Sequence, residues 1–597
     1  MARSNLFRFL AAIFLTCALF FSCKKDDSPG YQPDLPDLQT RVTSSISGFV
    51  TDENDLPVSG AAVKVGTITS STDQYGFFSF TDVEVIKNAA LVTVTHSGYF
   101  KGMRSYVAEA GNPAMVRIKL LPKTVVGSID AAAGGSATAA DGLKVELPAS
   151  GVVDNAGAAY TGAVTVSAKW LNPAADDFSQ IMPGDLRALN TLGEMRTLLS
   201  YGMAAVELTG SAGQALQVAP GKKSTVSFPL PSTLQGPAPT SIPLWHFDEE
   251  KGLWIEEGSA TKIGDRYVGE VSHFSFWNCD VPIDFVELNL TVVDLNGAPV
   301  PYAKVRLSTL TSPFTSAQGF TNASGYVNGI VPANTDLVMR IYTGNNCTTP
   351  LYTQNIPASA IDVSLGNISI AATALANVSG TVVNCSMQPV ANGYIIMSVS
   401  GTYYRYPLNN NGSFNYNFPG CSSGQNASLI AVDASANEQS ALTDHTIVPG
   451  SNVIGQIQAC GISTVEFFNY SIDAPGVHQS NISFSNAPGD SAFQESAWAE
   501  VAISAENTST GNWVILRMDD QAIAAGSSQT AWSFLDSDLY NLGMVQLTPR
   551  PTNNQVHITE YGTIGQFISG TFNLTFESYP GQPDMQVSGE FRVRRRY

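Results

Sequence analysis

Three stretches of this chain repeat one pattern of apolar and polar positions. They are ISGFVTDENDLPVSGAAVKV from Ile46, LNLTVVDLNGAPVPYAKVRL from Leu288 and VSGTVVNCSMQPVANGYIIM from Val378. In each, alternation with a period of two predicts a strand with one buried face. An Asp or Asn follows (Asp52, Asp294, Asn384), five residues later comes Pro-Val (Pro57-Val58, Pro299-Val300, Pro389-Val390), and a second alternating run begins. Asx and Pro turn chemistry between two alternating runs predicts a tight strand connection. Further on, each repeat has an Asx-x-x-Gly turn before another strand, in DQYGFFSF, NASGYVNG and NNNGSFNY, with Gly76, Gly325 and Gly412. Each repeat holds enough alternating strands to close its own core, which predicts independent β-sandwiches and not a solenoid. From 463 new alternating runs appear, at WAEVAISAE, NWVILRMDD, VQLTPR, HITEYGTIGQFISGTFNLTFES and MQVSGEFRVRRRY, the last two reading as paired strands at a domain's end.

The repeat pattern resembles the carboxypeptidase regulatory-like domain, over about 45–122, 285–373 and 374–462. In the third segment Asn384-Cys385 replaces the acidic turn. The resemblance implies a seven-stranded, transthyretin-like sandwich without catalytic residues, serving as spacer, stabiliser or docking module. The region 123–284 differs. Its markers GLKVELPASGVVDNAGAAYTGAVTVSAKWLNP, MPGDL, LLSYGMAAVEL, PLWHFDEEKGLWIEEGSA and YVGEVSHFSFWNCDVP resemble the β domain of cartilage intermediate layer proteins, and more distantly the spectrin-binding β domain of ankyrins. Residues 463–597 resemble a C-terminal β domain of other Bacteroidetes lipoproteins.

The amino terminus breaks the alternation. Arg3 and Arg8 precede FLAAIFLTCALFFS, an uncharged run of 14 residues from Phe9 to Ser22. A membrane span needs about 20 apolar residues, so this run reads as the h-region of a signal peptide, 1–22. It ends in LFFSC, which resembles the lipobox of bacterial lipoproteins. The resemblance implies cleavage before Cys23 and acylation of that residue, which would hold the chain to outer-membrane lipid. Each buried methylene of an acyl chain contributes about 0.8 kcal/mol, so two or three chains anchor stably. Lys25, Asp26 and Asp27 resemble the surface-export signal of Bacteroidetes lipoproteins, and the Pro-rich stretch after them reads as an extended tether, the tethered segment being 23–44. No later stretch approaches 18 consecutive apolar residues.

Length, composition and charge narrow the function. At 597 residues the chain holds more than one core, about four to six at ~100–200 residues each. Charged residues are only 14%, and the net charge of −19 repels phosphate backbones, so nucleic acid is not an expected partner. The basic tail FRVRRRY (Arg592, Arg594, Arg595, Arg596) reads as an edge or terminal strand blunted by charge. The expected fold is all-β, a multidomain string of β-sandwiches behind a cleaved lipoprotein signal peptide.

Candidate chemistry is sparse. Of the seven cysteines, Cys17 lies in the signal and Cys23 is the lipid site, which leaves Cys279, Cys347, Cys385, Cys421 and Cys460. Five is odd, so at least one is not in an ordinary intrachain pair. Cys385, Cys421 and Cys460 share the third repeat, where Cys385–Cys460 and Cys385–Cys421 are both open as disulfides. His273 and Cys279 are six residues apart on an apparent strand, roughly 20 Å at ~3.3 Å per residue, too far for a nucleophilic dyad. His246 and His273 have the means to meet across strands near Asp248, but no ligand spacing supports a metal, and no metal or cofactor is expected. Trp170, Trp245, Trp254 and Trp277 read as core; Trp277 alternates with Phe276, so one of the two should face inward. GTYYRYPLNNNGSFNYNF reads as strand, turn and strand. Asp490-Ser491-Ala492 resembles the Bacteroidetes O-glycosylation signal, implying a glycan on Ser491. No HExxH or phosphate-binding loop occurs. The expected function is therefore a lipid-anchored outer-membrane surface protein with a structural or adhesive role, or one binding a glycan or protein ligand, and not an enzyme. The alternatives are an accessory enzyme of surface glycan breakdown and a periplasm-facing envelope scaffold.

Overall fold

The structure is a computed structural model. It describes residues 36–310, 316–342, 347, 349–371, 375–418, 424–464, 466–474, 477–484, 490–496, 500–507, 510–519, 523–537, 539, 553–562, 567–576 and 584–594. Cys23, Lys25, Asp26, Asp27 and Cys421 lie outside the described residues.

The described chain is almost entirely strand, arranged as stacked sheets. Each of the three sequence repeats builds a sandwich on the same three-stranded sheet, faced by four strands in the first two and by six in the third. In the first, the strand Arg41–Thr51 lies between Phe77–Ile86, antiparallel, and Ala114–Lys119, parallel. This three-stranded sheet faces a second one of four strands, ordered Ile68–Ser71, Ala62–Val65, Ala90–Thr95 and Gly102–Tyr106. The alternating residues Ile46, Val50, Val63, Phe78 and Val92 fill the space between, each under 3% exposed. The second repeat repeats the layout with Phe285–Asp294 between Tyr326–Pro332 and Val363–Ile370. The third does so with Ala376–Val383 between Ser413–Phe418 and Gly450–Gln458. The first strand begins at Arg41, paired with Ile86, so the sandwich takes up the last residues of the segment 23–44 expected as tether.

The shared motif has one geometry in all three repeats. The Asp52 side chain accepts hydrogen bonds from the backbone N–H of Asn54 and Leu56. Asp294 does the same for Asn296 and Ala298, and Asn384 for Ser386 and Gln388. An amide oxygen serves as well as a carboxylate, which is why the neutral Asn384 leaves the turn unchanged. The turn returns the chain so that Pro57, Pro299 and Pro389 bridge to Thr51, Val293 and Val383. Gly76, Gly325 and Gly412 then close each unit with φ of 70°, 77° and 75°. Their carbonyls accept from Val50, Val292 and Val382. A Cβ on any of them would lie 2.3–2.5 Å from the carbonyl oxygen of that same valine, so these positions require glycine for space as well as for conformation.

Between the first and second repeats, strands from Val125 to Ile283 form one 13-stranded sheet. Its central strand Phe276–Ile283 pairs with Met195–Thr209 on one side and Ser241–Asp248 on the other. Both faces of this strand are covered. Trp277 and Cys279 enter one core, and Phe276 enters the other with Trp245 and Trp254. The expectation that one of Phe276 and Trp277 faces inward is thus corrected: both are buried, because the strand lies between two cores.

The described strands of the last unit form a nine-stranded sheet in which Met585–Arg594 pairs with both Phe467–Ala474 and Phe567–Phe576. The basic terminal strand is therefore interior and not an edge. Arg592 is 5% exposed, with its Nε 3.1 Å from Glu560 and its guanidinium over the Phe567 ring. Ser491 falls in the strand Asp490–Ser496, paired with Glu506. Cys385 and Cys460 are joined by a disulfide that spans 75 residues of the third repeat. Cys347 is also disulfide-bonded, while Cys279 is a free, buried thiol.

Gly76 and Gly60 have the same φ of 70°, but a Cβ at Gly60 meets nothing within 4 Å. Gly60→Ala should cost about 1–2 kcal/mol, the strain of a left-handed non-glycine residue. Gly76→Ala carries the clash with Val50 in addition and should lower the urea-unfolding stability by clearly more.

Candidate functional site

The sandwiches do not hang separately along the chain. The first repeat packs against three neighbours, and its strand Ala114–Lys119 carries the joint. Arg117, 7% exposed, sits with its guanidinium 4.8 Å from the Phe49 ring, 5.4 Å from Phe320 of the second repeat and 5.4 Å from Tyr404 of the third. Its Nη2 donates to the carbonyl of Tyr403 at 2.9 Å. Among the described residues, no carboxylate forms a salt bridge with it. Three aromatic faces and a carbonyl supply the negative potential that a buried cation needs. Burial pulls its pKa down, though an arginine stays charged at any physiological pH.

Tyr302 completes the joint from the second repeat. Its ring lies 6.3 Å from Phe49, 5.7 Å from Tyr404 and 5.5 Å from Tyr406, and its hydroxyl donates to the carbonyl of Arg405. Tyr302 has φ of 60°. The Pro-Val register puts it at the place of Gly60 in the first repeat, which has φ of 70°. A bulky residue in the left-handed region is strained, and the buried ring contacts hold it there. Arg405 answers Arg117 from the other side, with its guanidinium 4.3 Å from Phe77 and 3.7 Å from Tyr394. Phe49, Phe77, Met115, Tyr302 and Phe320 thereby join the core of the third repeat.

Polar contacts extend the joint. Tyr326 and Asn328 of the second repeat donate to Glu109 of the first, and Asn322 donates to the carbonyl of Pro113 at 2.7 Å. Gln74 and Tyr75 of the first repeat donate to Gln439 of the third, and Asn417 donates to Asp294. The 13-stranded unit is held to the first repeat by Arg104, which donates to the carbonyls of Gly184 and Ser179, and by Phe100, Met103 and Leu121 packed among Trp245, Trp254 and Phe178.

A cavity of about 230 Å³ lies where the first repeat, the 13-stranded unit and the second repeat meet. Met115, Phe178, Met182, Leu198, Leu290 and Phe320 give it an apolar lining, with Arg104 at one side. Asp185 is the one carboxylate among its lining residues, and it is held by Arg187 at 2.8 Å.

A second cluster lies on the 13-stranded unit. His246, on the strand Ser241–Asp248, is diagonal to Glu257 on the neighbouring strand Leu253–Ile263. His273 comes from the turn before the strand Phe276–Ile283. His246 Nδ1 and His273 Nε2 are 3.3 Å apart, and His273 Nε2 is 3.9 Å from a Glu257 oxygen. The two histidines meet, but Asp248 is not with them. Its carboxylate accepts from the N–H of Glu250 and Lys251 and pairs with the Lys251 ammonium at 2.6 Å. Burial lowers both imidazole pKa values, His246 to about 4 with help from the neighbouring His273, so both rings are neutral at pH 7.

The remaining candidates resolve as packing. Trp245, Trp254 and Trp277 are fully buried, and Trp170 is partly buried at the edge of the core. Cys279 is fully buried beside Leu244, while His273 is partly exposed in its turn. Tyr404, Tyr406 and Phe418, in the Tyr- and Asn-rich stretch, point into the joint. Arg117 and Tyr302 carry no sequence signal of their own. The one available clue is that a tyrosine stands at the glycine position of the repeat. Asp280 was equally silent. It is fully buried, accepts from Asn278, and burial pushes its carboxyl pKa well up.

No family model matches this chain. Cartilage intermediate layer protein 1 of Sus scrofa is 34% identical over 119 residues, 19% of this chain and 19% of that protein. Cartilage intermediate layer protein 2 of Mus musculus is 34% identical over 110 residues, 18% of this chain and 9% of that protein. The chain thus spans less than a fifth of the length of either curated relative. Among solved structures, the shaft pilin SpaA of Lactobacillus rhamnosus GG is 12% identical with a TM-score of 0.17, covering 30% of this chain and 98% of the pilin. The Bacillus anthracis TIE protein is 8% identical with a TM-score of 0.14, covering 70% of this chain and 51% of its own. At such scores the reading of the chain rests on its own residues.

Two outcomes test the packing. Tyr302→Gly relieves the strained backbone by about 1 kcal/mol but removes a buried ring, whose loss costs about 3–5 kcal/mol; urea unfolding should show a net destabilisation. Asp280 has a folded pKa above its unfolded value, so its contribution is most favourable below the unfolded pKa and is lost as pH rises toward the folded one. From this group the wild type loses up to about 1.4 kcal/mol per pH unit. Asp280→Asn should therefore gain on the wild type as unfolding is measured from pH 5 to pH 8.

Proposed function

We propose that this chain is a lipid-anchored protein of the outer-membrane surface, acylated at Cys23, whose sandwiches act together as a structural or adhesive body. The observation that carries this reading is the joint around Arg117, where three sandwiches share one buried aromatic core. Modules that carry separate activities on flexible linkers keep small, polar interfaces and move relative to one another. Here the interface buries rings and cations from three modules, and separating them would expose all of these at once. Such a body transmits force and keeps a fixed shape, which suits a scaffold or spacer. The three-plus-four sheet layout of the first two repeats, and the same three-stranded sheet in the third, support the transthyretin-like reading. The anchor and the export address Lys25-Asp26-Asp27 rest on their sequence signals.

The cavity favours a second role in ligand binding. Its apolar lining suits a small apolar group better than a sugar ring, whose hydroxyls need several polar partners. A glycosidase needs two carboxyl groups about 5–9.5 Å apart, and the lining offers Asp185 alone, engaged by Arg187.

Cell fractionation tests the proposal. Mass spectrometry of the membrane-bound protein should find Cys23 as the acylated first residue, and Cys23→Ser should release the chain from the membrane fraction. Protease added to intact cells should digest the wild type. Protection until the outer membrane is opened would overturn the surface orientation and leave a periplasm-facing scaffold.

A further inference from the structure

We propose that His246, His273 and Glu257 form a binding site for one divalent transition-metal ion of the zinc type. One ligand atom from each lies within 4.8 Å of the others. In tetrahedral coordination with Zn–N bonds of about 2.0–2.1 Å, two ligating nitrogens lie about 3.3 Å apart. His246 Nδ1 and His273 Nε2 are 3.3 Å apart. The Glu257 oxygen, at 3.9 Å from His273 Nε2, closes the remaining gap by rotation of a side chain that is 42% exposed. Two imidazoles and one carboxylate select zinc, copper or nickel over calcium or magnesium, which take all-oxygen shells.

The surroundings orient the three groups. Ser272 Oγ donates to Glu257 Oε1 and leaves the other oxygen for the metal. The Trp277 indole lies against both imidazoles, 5.6 Å from His246 and 5.1 Å from His273. Its Nε1 donates to the His273 carbonyl at 2.9 Å and so holds the turn that presents His273. The ligands come from two adjacent strands and this turn, so a bound ion would pin the turn to the sheet. A fourth position lies on the side of the partly exposed His273 and Glu257 side chains, for water or a donor from a partner. One feature works against tight binding. With the metal on Nδ1, the His246 proton sits on Nε2, which is buried and has no hydrogen-bond partner among the described residues. A missing second-shell partner weakens metal affinity about 10–100-fold.

The rival arrangement is a plain hydrogen bond between the two histidines with no ion. The two are separated by titrating the full mature chain, stripped with chelator, with Zn²⁺ by calorimetry and with Co²⁺ by visible absorption. The expected result is one saturable equivalent and the intense visible bands of a four-coordinate Co²⁺. His273→Gln and Glu257→Gln change partly exposed side chains and should leave the circular dichroism spectrum unchanged. Each should weaken that equivalent at least about 10-fold, as loss of a direct ligand exceeds loss of a second-shell partner. Absence of a saturable equivalent, or one that both variants retain at wild-type affinity, would overturn the proposal. The other close group, Cys385, Glu438 and Cys460, is closed by the disulfide and offers no thiolate, so it does not account for the expected equivalent.

Discussion

A buried cation shared among three aromatic modules governs how this protein is put together. Arg117 leaves the first sandwich and is desolvated in the joint, where the rings of Phe49, Phe320 and Tyr404 and a backbone carbonyl surround it. A guanidinium buried in this way is costly unless every module keeps its place. The contributors come from all three repeats, so the joint exists only when all three sandwiches have folded. The strained Tyr302 is the same constraint expressed in the backbone. Its left-handed conformation is a local cost that the ring's position between two modules offsets.

The repeats show how one turn chemistry serves different ends. The Asx turn, the Pro-Val bridge and the closing glycine are the same in all three units, and they set the register of the first strands without reference to anything outside the unit. What differs is the residue each repeat places on its outer surface. Gly60 leaves its site in the first repeat open, while Tyr302 fills the equivalent site in the second and reaches its neighbour. The joint is thus assembled from the positions that the repeat motif leaves free to vary. The 13-stranded unit follows another rule. Its central strand is buried on both faces, polar Asn278 and Asp280 included, so alternation no longer tells inside from outside.

The sequence by itself determined the all-β class, the three repeats and the turns at Gly76, Gly325 and Gly412. These follow from period-two alternation and from turn residues acting over a few positions, and such short-range physics is written in neighbouring letters. The terminal strand shows where that reading stops. Its arginines pointed to an edge or terminal strand; it is the last described strand, yet Arg592 is buried beside Glu560, because the strand pairs on both sides with segments distant in sequence. The meeting of His246, His273 and Glu257, the exclusion of Asp248 by its own turn, and the convergence of Arg117, Tyr302 and Tyr404 were decided only by the tertiary structure. Each depends on side chains brought together across strands and modules, and a separation along the chain carries no information about a distance in space once strands pair and sandwiches pack.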